Sequence, residues 1–184
     1  MLALGYRFEV AAAGLVLEPL QKAHAAELFD LLCEPSLYQF IPQDPPVSLA
    51  ALQDRYETLE RRCSPDGTEL WLNWVIRREE GAAGLVQATC NDRRQVFLAY
   101  EVFLPFRRKG IAAAAVKSVL EHLRVSTGVR QALAYVDTRN TPSVGLLKGL
   151  GFEQRRLLRG ADWFKGEVSD EFEFERPISA LFQT

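Results

Sequence analysis

Arg107-Arg108-Lys109-Gly110-Ile111-Ala112 is a basic, glycine-containing turn that follows a strongly apolar strand and opens a helix. A helix start leaves backbone N–H groups without intrahelical partners, and the aligned peptide dipoles favour an anion there. Gly110 lets backbone and ligand approach closely. Ahead of the turn, residues 95–104 (Gln-Val-Phe-Leu-Ala-Tyr-Glu-Val-Phe-Leu) are rich in β-branched and aromatic side chains, and Pro105 ends that strand by removing a ladder donor. Behind it, Val116, Val119, Leu120 and Leu123 recur at helical spacing. The turn thus lies at a strand-to-helix junction suited to a phosphate, with a solvated basic turn as the plain alternative.

A second segment, Asn140-Thr141-Pro142-Ser143-Val144-Gly145-Leu146-Leu147-Lys148-Gly149-Leu150-Gly151-Phe152, adds to the first. Together they resemble the acetyl-CoA-dependent GNAT N-acetyltransferase superfamily. Residues 107–112 match its pyrophosphate-loop pattern, Gln or Arg, two residues, Gly, one residue, Gly or Ala. Residues 140–152 match its Asn-x-x-Ser/Ala, then Leu, then Gly-Phe signature. The opening strand at 15–20, the run at 34–42 and the closing Asp170-Glu171-Phe172-Glu173-Phe174-Glu175 follow in the same order. That order is most similar to the RimJ/RimL-like branch, known for N-terminal acetylation of ribosomal proteins and containing many other substrates. The resemblance runs from about residue 14 to 177.

Bulk composition agrees with one enzyme-sized domain over 1–184. The chain is 48% hydrophobic over 184 residues, enough to bury a sizeable core without metals or disulfides. Lys and Arg total 22 against 24 Asp and Glu, a net charge of -2 that gives no general field for nucleic acid. Cys33, Cys63 and Cys90 are odd in number and widely separated, which suggests neither a disulfide framework nor a zinc site and fits a reducing cytoplasm. The apolar stretch at 10–17 is too short to span a bilayer and reads as the first strand after a loose leader.

Along the chain there is no repeat or long linker. Ala25, Leu28, Phe29 and Leu32 form one helical face, and a proline-rich loop at 42–46 leads to Ser48 as N-cap of a second helix ending near residue 62. Residues 70–76 and 85–89 read as paired strands with Gly81 near their turn, and residues 131–136 as a strand too apolar for an exposed edge. Thr141 at N-cap and Pro142 at the first helical position start a short helix closed by Gly149 or Gly151. Strands at 152–158 and 168–175 complete the order. The resemblance implies an α/β (α+β) GNAT fold. It would have a mixed, mostly antiparallel twisted sheet of about seven strands, helices on both faces, and acetyl-CoA wedged between the fourth and fifth strands.

The resemblance also assigns roles. Arg107, Arg108, Lys109, Gly110, Ile111 and Ala112 would cradle the CoA pyrophosphate through backbone N–H groups. Val102, Phe103 and Leu104 would pair with the pantetheine arm as an added strand does, and an N–H there would stabilise the oxyanion. Asn140 would hold the arm from the other side, with Ser143 near the sulfur. No metal is implied. Many members carry a tyrosine seven residues after the Asn as general acid, and here that position is Leu147. Ser143 is the substitute candidate, against a reading in which its hydroxyl bonds its own backbone.

Glu101 is the conspicuous carboxylate in an apolar strand and a candidate base or amine binder. It alternates with Tyr100 and Val102, and only one of those faces is expected to look into the cleft. An α-amine (pKa about 8) needs less help from a base than a lysine amine (about 10.4). Asp137 reads as a turn or cap residue, and His24 and His122 as helix-surface residues. Tyr38, Phe40, Trp74 and Trp163 are aromatic candidates for an acceptor pocket, with core packing as the alternative. The reading is an enzyme that transfers acetyl directly from acetyl-CoA to a primary amine, a protein N-terminus or a small molecule. No nucleic-acid or membrane partner is implied, and the oligomeric state, a homodimer included, stays open. The alternative is a non-catalytic acyl-CoA-binding regulatory module.

Overall fold

Alternating apolar positions and side-chain caps set the elements of the computed structural model, which describes residues 8–10 and 14–178. Eight strands are seen: β1 (Phe8–Val10), β2 (Leu15–Pro19), β3 (Leu70–Arg78), β4 (Gly81–Cys90), β5 (Gln95–Val102), β6 (Gln131–Asp137), β7 (Glu153–Phe164) and β8 (Glu167–Pro177). Four helices join them: α1 (His24–Leu32), α2 (Leu49–Glu60), α3 (Ile111–Ser126) and α4 (Thr141–Gly149). The strands form one sheet in the order β1-β2-β3-β4-β5-β6-β8-β7. Seven are the strands read from the sequence, and the eighth is the three-residue β1 at one edge. Most of the supposed leader lies outside the described residues.

Every neighbouring pair is antiparallel except β5 and β6, which run parallel and pair only at Gln95 to Gln131, Val96 to Ala132 and Phe97 to Leu133. Beyond Phe97, β5 has β4 on one edge and no ladder partner on the other. The sheet opens there because the β5–β6 ladder stops after Phe97, and the start of α3 lies beside the second half of β5 at the gap.

Strand parity divides the interior into two layers. Leu72, Trp74 and Ile76 of β3 and Val96 and Leu98 of β5 pack with Val116, Val119, Leu120 and Leu123 of α3. On the other face, Val75, Leu85 and Phe103 pack with Leu28 and Leu32 of α1 and Leu52 and Tyr56 of α2. Helices therefore cover both faces, and each residue's position along its strand decides which layer it joins.

Several boundaries differ from the sequence reading. β7 and β8 form a hairpin running to Phe164, so residues 159–164, left between the two strands read from the sequence, are strand; register shifts at Gln154/Arg156 and Leu158/Asp162 accommodate their irregular pattern. Asn140, not Thr141, is the N-cap of α4, its side chain accepting from Ser143 N–H at 3.2 Å. Ser48 does cap α2, through Ala51 N–H. His24 is not a surface residue: it is buried and accepts from Gln21 N–H, whereas His122 is half-buried on α3 and packs edge-on against Trp74. Among the described residues no helix is long and apolar enough to cross a membrane.

Candidate active site

The parting of β5 from β6 opens a cleft of about 780 Å³. Its walls are the second half of β5, the turn into α3, the start of α4 and residues 36–43. Lys165, at the tip of the β7–β8 hairpin, donates to the carbonyls of Ile41 and Gln43 and ties that hairpin to the loop.

The turn before α3 has the features of an anion cradle. Arg108 and Gly110 both hold left-handed backbone, φ 63° and 73°, and successive unusual dihedrals of this kind turn N–H groups toward one concave side. Asn140 caps α4 and Ser48 caps α2, whereas no side chain caps α3. Its first residues, Ile111, Ala112 and Ala113, line the cleft together with Arg107, Arg108 and Gly110. A residue with a Cβ would be strained at Gly110, although nothing lies within 4 Å of such an atom. Lys109 does not line the cleft; its ammonium lies over the Phe106 ring.

Of residues 102–104, the opened edge receives only Val102. Phe103 N–H donates to Ala83 O at 2.9 Å, so strand alternation turns the backbone polar groups of Val102 and Tyr100 toward the gap. The Phe103 side chain is buried beneath α1 and α2. Leu104 belongs to a 3-10 turn, Leu104–Phe106, because Pro105 cannot continue the ladder. Arg107 Nε donates to Val102 O at 3.0 Å and leaves Val102 N–H for a ligand.

Glu101 and Tyr100 point to opposite faces of β5, as parity demands, yet both line the cleft. The expectation that only one face reaches it fails because the cleft passes through the sheet rather than lying on one side. Glu101 is opposite Leu85 on the α1/α2 side, and Tyr100 is opposite Val86 on the α3/α4 side. Burial pushes the Glu101 carboxyl up to about 7, against the pull of the Arg55 guanidinium. Tyr100 is also pushed up by burial, with its bond to Ser143 opposing, so the phenol stays protonated at neutral pH.

Ser143 Oγ donates to Tyr100 Oη at 3.1 Å, rather than to its own backbone. Leu147, where a tyrosine was looked for, is fully buried in the core. The phenol beside Ser143 comes instead from β5, a strand distant in sequence. The only signal for Tyr100 was its adjacency to Glu101 in a strand that ends at the anion turn.

Asp137 is the turn residue the sequence suggested. Its buried carboxylate accepts from Arg139 N–H at 2.8 Å, from the Arg139 guanidinium at 2.7 Å and from Ser169 Oγ at 2.7 Å. Burial alone would raise this carboxyl, but those hydrogen bonds hold it below the usual range. The same turn carries Asn140 N–H to Asp137 O at 2.9 Å, so the network presents Asn140 and Ser143 to the cleft.

Of the four aromatic candidates, Tyr38 and Phe40 line the cleft. Trp74 does not: its β3 neighbour Asn73 faces the α1/α2 side, so Trp74 turns to α3 and is 0% exposed. Trp163 is 68% exposed on β7 and outside the cleft, which Asp162 lines instead. The sequence reading missed Arg55, Gln87 and Asp162, which come together with Glu171 from four separate elements.

Comparisons with known proteins agree with this geometry. Over 66 residues the chain is 35% identical to the uncharacterized N-acetyltransferase p20 of Bacillus licheniformis; the match spans 36% of this chain and only 37% of that protein's length. RimL, a ribosomal L7/L12 alpha-N-protein acetyltransferase solved with coenzyme A, superposes with a TM-score of 0.83 at 17% identity, over 95% of this chain and 99% of that one. Spermidine N-acetyltransferase of Vibrio cholerae, solved with CoA and spermine, gives 0.79 at 18% identity, over 91% and 98%. Mycobacterium smegmatis RimJ with CoA-disulfide gives 0.80 at 22% identity, over 92% and 85%. Identities this low show a shared fold. The acetyltransferase (GNAT) domain model matches residues 14–153, well over half of the chain, and the protein belongs to that family of N-acetyltransferases.

Proposed function

We propose that this enzyme transfers acetyl from acetyl-CoA to a primary amine by direct attack within a ternary complex. The observation that carries the reading is the placement of Glu101 and Tyr100 on opposite faces of one opened strand, both lining one cleft. The CoA pyrophosphate would rest on the uncapped start of α3, and the pantetheine arm would run along the free edge of β5 near Asn140. The CoA-bound neighbours, RimL and the spermidine acetyltransferase among them, support that cosubstrate and an amine acceptor.

The amine enters from the α1/α2 side, and its nitrogen lone pair attacks the thioester carbonyl carbon. Glu101, ionised about half the time near pH 7, accepts the proton the nitrogen loses. Val102 N–H faces the opened edge, where it would stabilise the oxyanion. The C–S bond then breaks, and the departing thiolate takes a proton from Tyr100. Ser143 donates to the phenol oxygen, which leaves the phenol's own O–H to point at the sulfur. Tyr100 thus takes the acid role that the sequence reading gave to Ser143, and Ser143 positions it. A group poised to exchange protons at neutral pH has no use in a passive acyl-CoA sensor, which favours the enzyme over that alternative. The three cysteines are free thiols, which fits a reducing compartment such as the cytoplasm.

The test is thiol release from acetyl-CoA with a panel of amines, for the native protein and Tyr100→Phe. Turnover should fall about 10–100-fold in the variant with the KM for acetyl-CoA unchanged, as expected for loss of a group acting only in the transition state. Equal turnover would remove Tyr100 from the proton path.

A further inference from the structure

A second hollow of about 310 Å³ opens off the cleft, and Tyr38, Arg55, Leu85 and Gln87 line both. Leu20, Leu32, Leu52, Leu59, Pro45 and Val47 make most of its wall apolar. Its lining residues include two charged side chains, Asp44 and Arg55. Arg55 makes no hydrogen bond or ion pair with a described residue; its charge acts on Glu101 and on the phenols of Tyr38 and Tyr56. Tyr56 is 3% exposed, and its hydroxyl is buried with no hydrogen-bond partner among the described residues. A side chain is thus left with its polar atom unanswered in the wall of an apolar hollow, beside an unpaired guanidinium and next to the candidate base.

We propose that the acceptor is a free α-amino acid with an apolar side chain: its amine at Glu101, its carboxylate on Arg55, its side chain in the hollow. This rests on the amine-acetylation reading of the cleft. The charges order the zwitterion. Asp162 and Glu171 also line the cleft, and the charged neighbours of Glu171 are Asp162 and Asp137 rather than Arg55, so a carboxylate is repelled by that acidic pair and drawn to the guanidinium, which binds it through two parallel N–H groups. A polyamine would instead bring a second cation beside the Arg55 guanidinium, with Asp44 as the one carboxylate in an otherwise mostly apolar hollow, and a peptide N-terminus would present a neutral amide where the guanidinium waits. The products are the N-acetyl amino acid and CoA. The amine proton leaves through Glu101, and the thiolate is reprotonated at the cleft.

The experiment measures thiol release with leucine, leucinamide, a tripeptide beginning with leucine, and spermidine. It also measures leucine binding to the CoA-loaded protein by calorimetry, for the native chain, Arg55→Gln and Arg55→Lys. The expected result is a kcat/KM for leucine about 10–100-fold above leucinamide, a ratio that collapses toward one in Arg55→Gln and is partly restored by lysine. Leucinamide or the tripeptide matching leucine, or the ratio surviving in Arg55→Gln, overturns the assignment. Thiol release with other amines and no leucine binding removes the amino-acid site and leaves the transferase standing. Arg55-dependent leucine binding with no thiol release keeps the site and removes the transfer step.

Discussion

Replacing Glu101 with glutamine keeps the side chain's shape and removes its ionisation, which separates two effects that the structure sets against each other. Burial raises the carboxyl from its ordinary 4.5 to about 7. The folded protein therefore binds this proton more tightly than the unfolded chain does, and stability falls as pH rises from about 4.5 to 7. Above that window the whole cost is present. At about 1.4 kcal/mol per pH unit of displacement, ionised Glu101 costs the native state about 3 kcal/mol at pH 8 and about 1 kcal/mol at pH 5. The Glu101→Gln side chain, neutral throughout, escapes this cost. Urea unfolding of both proteins should show the variant gaining about 2 kcal/mol on the native protein between pH 5 and pH 8. In a chain of this size that corresponds to a relative rise in Tm of about 4–8 °C. Activity should move the opposite way. Native kcat/KM should climb with pH to a plateau above about 7 as Glu101 ionises, and the variant should be about 100-fold slower at pH 7 with that ionisation gone from its profile. A stability difference independent of pH, or a native-shaped pH profile in the variant, would refute both the raised carboxyl and its role as base.

Two further substitutions test the frame around it. Gly110→Ala should cost about 1 kcal/mol of stability from the left-handed backbone, since no atom crowds its Cβ, and should weaken CoA binding. Gly110→Glu should abolish that binding by bringing negative charge to the α3 start; calorimetry with CoA reads both, and unchanged affinity would detach the pyrophosphate from this turn. Gly84→Ala differs in kind, because its Cβ would overlap the Glu101 carbonyl oxygen across the β4–β5 ladder. It should lose about 2–3 kcal/mol in urea unfolding and depress turnover by displacing Glu101, whereas an ordinary stability with full activity would show that the strands part freely.

The family and the order of elements were legible in the chain. Residues 95–112 and 140–152 are contiguous, and their chemistry depends on local geometry: a strand stopped by proline, an open helix start, an asparagine at a helix cap. Glu101 was also legible as a carboxylate out of place in an apolar strand. What local pattern could not decide was facing. Trp74 and Asn73 are adjacent, and only the position of α3 beneath the sheet shows which of them is core. The segment around Trp163, between the two last strands read from the sequence, is hairpin, because pairing with β8 outweighs its irregular pattern. The partners of the reactive groups lay further still beyond sequence. Tyr100 meets Ser143 across 43 positions, and Arg55 on α2 faces Glu101 on β5. Sequence alone determined the elements whose causes lie within a few residues. The tertiary structure decided where the sheet opens, and that opening lets consecutive residues on opposite faces of one strand line the same cleft.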